Sequence, residues 1–335
     1  MMVLGIETSC DETALALVED GRKVLATQVV SSLKSHQFYG GVVPEIASRA
    51  HVELITYQLE ALLAAAGVSP SGIDRIAVTH GPGLSGSLLV GVVAAKALAL
   101  AWKKPVIGVN HLQAHLYAAL MSVSGWAMDL PMIGLVISGG HTALVRMDGI
   151  ERFGLIGQTR DDAVGEAFDK VAKMLGLGFP GGPEIERTAD EGNRAAYRFP
   201  LPKMKSGSQY DFSFSGIKTA VLYKIQDKKE LNRQSVADLA ASFQSSVVEE
   251  VVMKSMQACR SARAGHLVVG GGVIANRPLR QRLQEVCADL KIELAIPPFG
   301  LCTDNGAMIA GLAYHLNPAA GRNLAVVPDL PVGLN

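Results

Sequence analysis

A chain of 335 residues exceeds one ordinary domain, and 49% hydrophobic content with only 5% aromatic residues and 35 glycines points to an α/β protein rich in tight loops, in two lobes or one duplicated fold. The 31 basic and 31 acidic residues cancel, which excludes a chain-wide field for polyanions and leaves nucleic acid to a local patch or a partner's surface. Cys10, Cys259, Cys287 and Cys302 form no C-x-x-C pair, as for structural thiols in a reducing cytosol, and Glu7, Asp11 and Glu12 interrupt the N-terminus, so no signal peptide is expected.

Residues 3–8 predict a strand, Ser9 to Glu12 a polar loop and Thr13 to Val18 a second strand. Asp20-Gly21 is a hairpin turn into a third strand, Lys23 to Val30. A helix follows with Pro44 in its first turn, Ile46, Ala50, Leu54 and Leu59 on its core face, and an end near Gly67. Ile73 to Thr79 is a strand, and Gly81-Pro82-Gly83 opens an apolar helix, Leu84 to Trp102, expected to be buried rather than to span a membrane. Val106 to Val109 is a strand leading to His111 and His115.

Shifting the chain by 129 residues aligns Gly5 with Gly134, Ser9 with Ser138, Thr13 with Thr142, Ala14 with Ala143 and Leu15 with Leu144. A weaker echo pairs Ile76 to Thr79 before Gly81 with Leu267 to Gly270 before Gly272. Two echoes in the same order predict a duplicated fold, with lobes over 1–130 and 131–335. The second lobe carries a largely helical insertion at about 157–262, with helices near Asp162 to Leu175 and Ser235 to Arg263 and a turn at Pro180-Gly181-Gly182-Pro183.

His111 and His115 lie one above the other on a helix and can share a metal ion. Metalloproteases use this spacing with Glu after the first His as general base; here that residue is Leu112. A catalytic metal usually takes three protein ligands. The third candidate is Asp304 in Cys302-Thr303-Asp304-Asn305-Gly306, which could equally N-cap the helix Ala307 to Leu316; His141 is another. The hairpin loops Ser9 to Glu12 and Ser138 to His141 can wrap an anion with backbone amides. Ser138-Gly139-Gly140 is the better phosphate cradle, because Asp11 and Glu12 repel phosphate. Gly270-Gly271-Gly272 after a strand offers bare backbone to a nucleotide, with Asn276 able to donate and accept at an adenine or ribose edge, but no dinucleotide or P-loop fingerprint occurs.

The chain resembles the bacterial TsaD (Gcp) family of tRNA N6-adenosine threonylcarbamoyltransferases over essentially its whole length. The resemblance rests on Gly5 to Thr13, Gly40 to Glu45, the His111/His115 pair, Ser138 to Thr142, Asp161-Asp162, Gly165 to Lys170, Pro180 to Pro183, Phe212 to Lys218 and Cys302 to Ala307. It implies an α/β actin-like ATPase (ASKHA) fold, two related lobes around a nucleotide cleft. It also implies iron or zinc held by His111, His115 and Asp304, and substrate contacts at Val136, Ile137, Ser138, Gly139, Gly140, Asp169, Gly182 and Asn276. The implied reaction moves threonylcarbamoyl from its adenylate to N6 of the adenosine 3′ of the tRNA anticodon, releasing AMP, in the cytoplasm. The implied companions are a TsaB-like heterodimer partner, a TsaE-like ATPase and a TsaC-like enzyme that supplies the adenylate.

For that chemistry Glu12 or Asp11 is the candidate base for the amine proton. Two departures stand out: Gln113 replaces the family's common Glu between the histidines, and Ala143 replaces a frequent polar residue. Lys203, Lys205, Lys218, Lys224, Lys228, Lys229 and Arg233 form the basic group available to RNA phosphates, or else a solvated face. A metallopeptidase leaves the duplicated hairpins unexplained, a phosphotransferase of the same fold leaves the metal cluster unexplained, and a non-catalytic nucleotide switch needs no three-ligand site.

Overall fold

The computed structural model describes residues 1–123, 130–201, 207–227, 230–318 and 324–333. In chain order the elements are β1 (Met2–Glu7), β2 (Glu12–Glu19), β3 (Lys23–Ser31), a short α1 (Leu33–His36), α2 (Pro44–Ala66), β4 (Arg75–Gly81), α3 (Ser85–Trp102), β5 (Val106–Asn110) and α4 (His111–Met121). They continue as β6 (Met132–Ile137), β7 (Thr142–Met147), β8 (Phe153–Gln158), α5 (Val164–Met174), α6 (Gly181–Ala189), α7 (Ser215–Gln226), α8 (Arg233–Ala262), β9 (His266–Gly270), α9 (Arg277–Leu290), β10 (Glu293–Ala295) and α10 (Gly306–Ala313).

Contacts divide the chain into one unit of Met1–Trp126, Gly149–Phe153 and Ile296–Asn335 and another of Ala127–Asp148 and Gly154–Ala295. This division differs from a boundary near 130 alone, because the last forty residues, Asp304 among them, fall in the first unit.

The first sheet has the order β3-β2-β1-β4-β5 and the second β10-β9-β6-β7-β8, the same arrangement read from opposite ends. Gly5 faces Ala16 across the β1–β2 hairpin, and Gly134 faces Val145 across β6–β7. Both members of the pair are offset by the same 129 residues. Leu4 pairs with Ile76 in parallel as Ile133 pairs with Leu267, so the weaker echo marks equivalent strands.

β1 and β2 are buried along nearly their whole length, because α10 packs on one face of this sheet while α2 and α3 pack against its strands. A Cβ added at Gly5 would lie 2.7 Å from the backbone nitrogen of Ala310, so only glycine lets α10 approach. α2 buries Ala47, His51, Gln58 and Leu62, and the expected Ile46, Ala50, Leu54 and Leu59 are half-buried beside them, Leu59 against the core, so the helix is turned slightly from the expected face. His51 fixes this rotation by bridging Thr13 Oγ1 at 2.7 Å and the Cys10 carbonyl at 3.0 Å.

α3 has a membrane-spanning length and composition and is buried on one face only. Leu88, Val92 and Ala95 are buried while Leu89, Val93 and Leu100 are exposed, a correction to the expectation of a buried helix. A C-terminal strap crosses the ends of β4 and β5: Val327 N donates to the His80 carbonyl at 2.8 Å, Gly83 N to Pro328 O at 3.0 Å, and Asn110 Nδ2 to Pro331 O at 2.9 Å.

In the second unit, α8 buries Glu250 with neither carboxylate oxygen hydrogen-bonded. Burial pushes its pKa up to about 7 from 4.5, against the smaller opposing pull of Lys254.

Gly5→Ala should destabilise the first unit by roughly 1–3 kcal/mol or more, since the added methyl meets backbone rather than a movable side chain; urea denaturation checks this. For Glu250, the unfolded carboxyl ionises above pH 4.5 while the folded one keeps its proton until about 7. Stability should therefore fall as pH rises through that window, by about 3 kcal/mol in all. Glu250→Gln should remove this dependence, as measured by thermal melts from pH 4.5 to 8.

Candidate metal centre and second-unit loop site

Asn110 ends β5 and caps α4, its Oδ1 accepting from Leu112 N at 3.0 Å and Gln113 N at 3.3 Å. His111 and His115 thus occupy the first turns of a helix buried from His111 to Met121. Their rings meet edge to face with centroids 4.5 Å apart.

Asp304 comes from the turn before α10, and Asn305, not Asp304, caps that helix, accepting from Met308 N at 2.9 Å. Asn305 Nδ2 also donates to Thr303 O at 2.8 Å and Leu301 O at 3.3 Å, which fixes the turn. Asp304 Oδ1 lies 3.1 Å from His115 Nε2 and 3.6 Å from His111 Nε2. Ligand bonds of about 2.0–2.2 Å spread over roughly 90–110° give such spacings.

Two imidazoles and one carboxylate, all within 4.8 Å of one another, fit a single cation with open positions. They are the sole such group among the described residues. His141 lies in the β6–β7 loop of the other unit and is not among them.

Sequence reasoning missed Glu7, which is wholly buried at the end of β1. Its Oε2 lies 3.0 Å from His111 Nδ1 and accepts from Thr79 Oγ1, and its Oε1 accepts from Ser9 N. With Nδ1 committed to Glu7, Nε2 of His111 is left to face Asp304. A carboxylate closing an otherwise apolar strand, Val-Leu-Gly-Ile-Glu, was the available signal.

Burial by itself would lower the pKa of His111, but Asp304 and Glu7 overcome it and raise it to about 9. His115 is lowered, by burial and then by His111, which suits a neutral ligand. Burial would raise Glu7, yet the charge and hydrogen bond of His111 hold it below the usual carboxylate range.

Asp11 and Glu12 stand on the same loop. Asp11 Oδ2 accepts from Ser31 Oγ at 3.1 Å, and Glu12 opens β2 opposite Ser31. Burial, then Asp304 and Asp11, push Glu12 up to about 10. A cation at Asp304 offsets that carboxylate's repulsion.

The expected substrate residues all lie in the second unit. Val136 and Ile137 are buried in β6, and Ser138 opens the loop, its N–H donating to the His141 carbonyl at 2.8 Å and its Oγ accepting from His141 N at 3.1 Å. Gly139 and Gly140 face open space. The start of α5 presses on this loop, since a Cβ at Gly165 would lie 2.7 Å from the Cα of Gly139. α5 also carries Asp169, whose Oδ1 accepts from Gly181 N at 2.6 Å and whose pKa burial raises.

Gly181 and Gly182 begin α6 rather than form the expected turn, because Asp169 satisfies the helix's first free N–H group. Asn276 is more committed than expected. Its Oδ1 caps α9 through Leu279 N at 3.0 Å, and its Nδ2 donates to Gln244 Oε1 at 2.8 Å and Glu186 Oε2 at 3.1 Å. Loop, Asp169, Gly182 and Asn276 are therefore linked through α5 and α6, with Asn276 a structural joint in this state.

Asp161 and Asp162 also act structurally. Asp161 accepts from Phe214 N, Ser215 N and two serine hydroxyls, and Asp162 pairs with Lys170 and Lys218. Of the basic group, Lys218, Lys224 and Arg233 are paired with Asp162, Asp227 and Glu191, and Lys203, Lys205, Lys228 and Lys229 lie outside the described residues.

Glu7→Gln should weaken binding of a divalent cation at His111, His115 and Asp304 by about 10- to 100-fold, while α4 and the fold persist. Chelator competition with zinc, alongside circular dichroism, measures both.

The model of the family described as TsaD, tRNA N6-adenosine threonylcarbamoyltransferase, matches residues 23–311. A protein of that description from Symbiobacterium thermophilum is 49% identical over 99% of this chain and 97% of its own length, and one from Geobacillus kaustophilus is 50% identical over 98% and 96%. Among solved structures, full-length HypF in a phosphate- and nucleotide-bound form superposes with a TM-score of 0.61 at 16% identity, covering 96% of this chain and 56% of HypF. Component A of the (R)-2-hydroxyglutaryl-CoA dehydratase of Acidaminococcus fermentans gives 0.52 at 15% identity, covering 94% and 98%. These distant likenesses and the duplicated sheets make the fold that of the actin-like ATPases. With half of its residues shared along nearly full-length relatives, the chain belongs to the tRNA N6-adenosine threonylcarbamoyltransferase (TsaD) family.

Proposed function

We propose that this chain transfers the threonylcarbamoyl group from threonylcarbamoyl-adenylate to N6 of adenosine 37 in tRNAs that read codons beginning with A, releasing AMP. The observation that carries the reading is the convergence of His111, His115 and Asp304 on one point in a chain of this family. A bound iron or zinc supplies a Lewis acid for the carbamoyl carbonyl and a fixed charge that orients it.

The chain's own residues do the rest. The exocyclic amine attacks the carbamoyl carbon, the bond from that carbon to the phosphate oxygen breaks, and AMP leaves with the electron pair. The amine's proton passes to Glu12, or to Asp11 beside it, as general base. Glu12 can take it only when ionised.

Ser138, Gly139 and Gly140 present backbone to the adenylate phosphate, and Val136 and Ile137 precede them on β6; Asp169 and Gly182 lie on α5 and α6, of which α5 meets the loop at Gly165. Asn276 Nδ2 donates to a ligand only by releasing Gln244 or Glu186, whereas its Oδ1 keeps a second lone pair. A TsaB-like partner, a TsaE-like ATPase and a TsaC-like enzyme complete the system in the cytoplasm. Four free cysteines accord with a reducing compartment.

Incubation with tRNA, threonine, bicarbonate, ATP and these companions should yield modified adenosine by mass spectrometry. His111→Ala and His115→Ala should each lose metal and at least about 100-fold in transfer rate, the scale expected when a ligand to an essential ion is removed. Full activity in a metal-free His111→Ala protein would sink the metal role, and casein cleavage by the wild type would favour a peptidase.

A further inference from the structure

Phe38 and Tyr39 are neighbours with side chains 92% and 59% exposed, their rings 5.4 Å apart at 88°. Single exposed apolar residues are ordinary, but two adjacent aromatics on one turn make a surface with a defined shape. That turn is held by a buried histidine. His36 Nδ1 accepts from Val43 N at 3.2 Å, and its Nε2 lies 3.0 Å from Ser32 Oγ.

Ser32 in turn gives its N–H and its hydroxyl to the Asp11 carbonyl, each at 3.0 Å, and Ser31 Oγ donates to the Asp11 carboxylate. Ser31 pairs with Glu12 across β2 and β3, so the segment leaves the sheet opposite the candidate base. From Ser31 to Val43 there is no carboxylate, and Lys34 is exposed, so the segment itself adds no negative charge to that of the Asp11–Glu12 loop.

We propose that Phe38 and Tyr39 form a stacking platform for bases of the tRNA anticodon loop, beside the Asp11–Glu12 loop; this rests on the tRNA substrate proposed above. Stacking suits the chemistry because it uses the face of a base. Hydrogen-bond readout of the adenine edge would tie up N6, the atom that must react. Aromatic platforms bind unpaired bases in this sequence-tolerant way.

The test uses the full chain with its companions and an unmodified anticodon stem-loop labelled with 2-aminopurine beside the target adenosine. Phe38→Ala/Tyr39→Ala should raise Kd and the KM for tRNA about tenfold or more, with zinc content and Tm unchanged. It should also abolish the stacking quench seen with the wild type, and Phe38→Trp/Tyr39→Phe should restore both. Unchanged Kd and quench would overturn the proposal. So would equal rescue by Phe38→Leu/Tyr39→Leu, which marks a generic apolar contact, or loss of a companion protein with tRNA binding intact. A wild type without transfer activity would instead defeat the proposed function; an active wild type matched by the alanine double variant defeats the platform alone.

Discussion

Everything at the metal centre depends on how closely α10 lies against β1. Gly5 on the strand and Gly306 at the start of the helix remove the two methyl groups that would hold the elements apart. The resulting contact brings Asp304, nearly two hundred residues downstream, to the first turn of α4. A wider spacing would leave the two histidines facing a cavity.

Electrostatics explains why the site needs so many carboxylates. The first turn of a helix carries partial positive charge, an unfavourable place for a cation held by imidazoles alone. Asp304 and Glu7 oppose that field, and against burial the same two carboxylates raise the pKa of His111. Burial, with the same negative potential, makes Glu12 hold its proton. In the second unit the equivalent loop, Ser138 to His141, has no carboxylate, so the same backbone frame suits an anion instead. The metallopeptidase reading accounts for the histidine spacing but for none of this arrangement.

Much of this was legible in the chain, for identifiable reasons. Strand and helix order followed from apolar periodicity, and the duplication from the shared 129-residue offset, which the strand registers reproduce. The His111/His115 pair was visible because helical spacing is local. Whether Asp304 capped or ligated was not, because Asn305 beside it could do the capping, and only the geometry of the turn separates the two. Glu7 escaped notice since its partners, Thr79 and His111, are brought to it by the fold alone. The hydrogen bonds of Asn276 were illegible for a related reason: Glu186 and Gln244, which accept from its amide, come from separate helices. The expected face of α2 is half-buried rather than central, because the polar His51 and Gln58 hold buried positions that hydrophobicity alone assigns elsewhere.

The C-terminal strap sets an order of events for the living cell. The cap of α4 is tied to Pro331, and the third member of the candidate cluster is Asp304, whereas both histidines leave the ribosome far earlier. During synthesis the first unit holds both histidines without Asp304 while the second unit emerges. Any ion that needs all three side chains must therefore wait for a nearly finished chain.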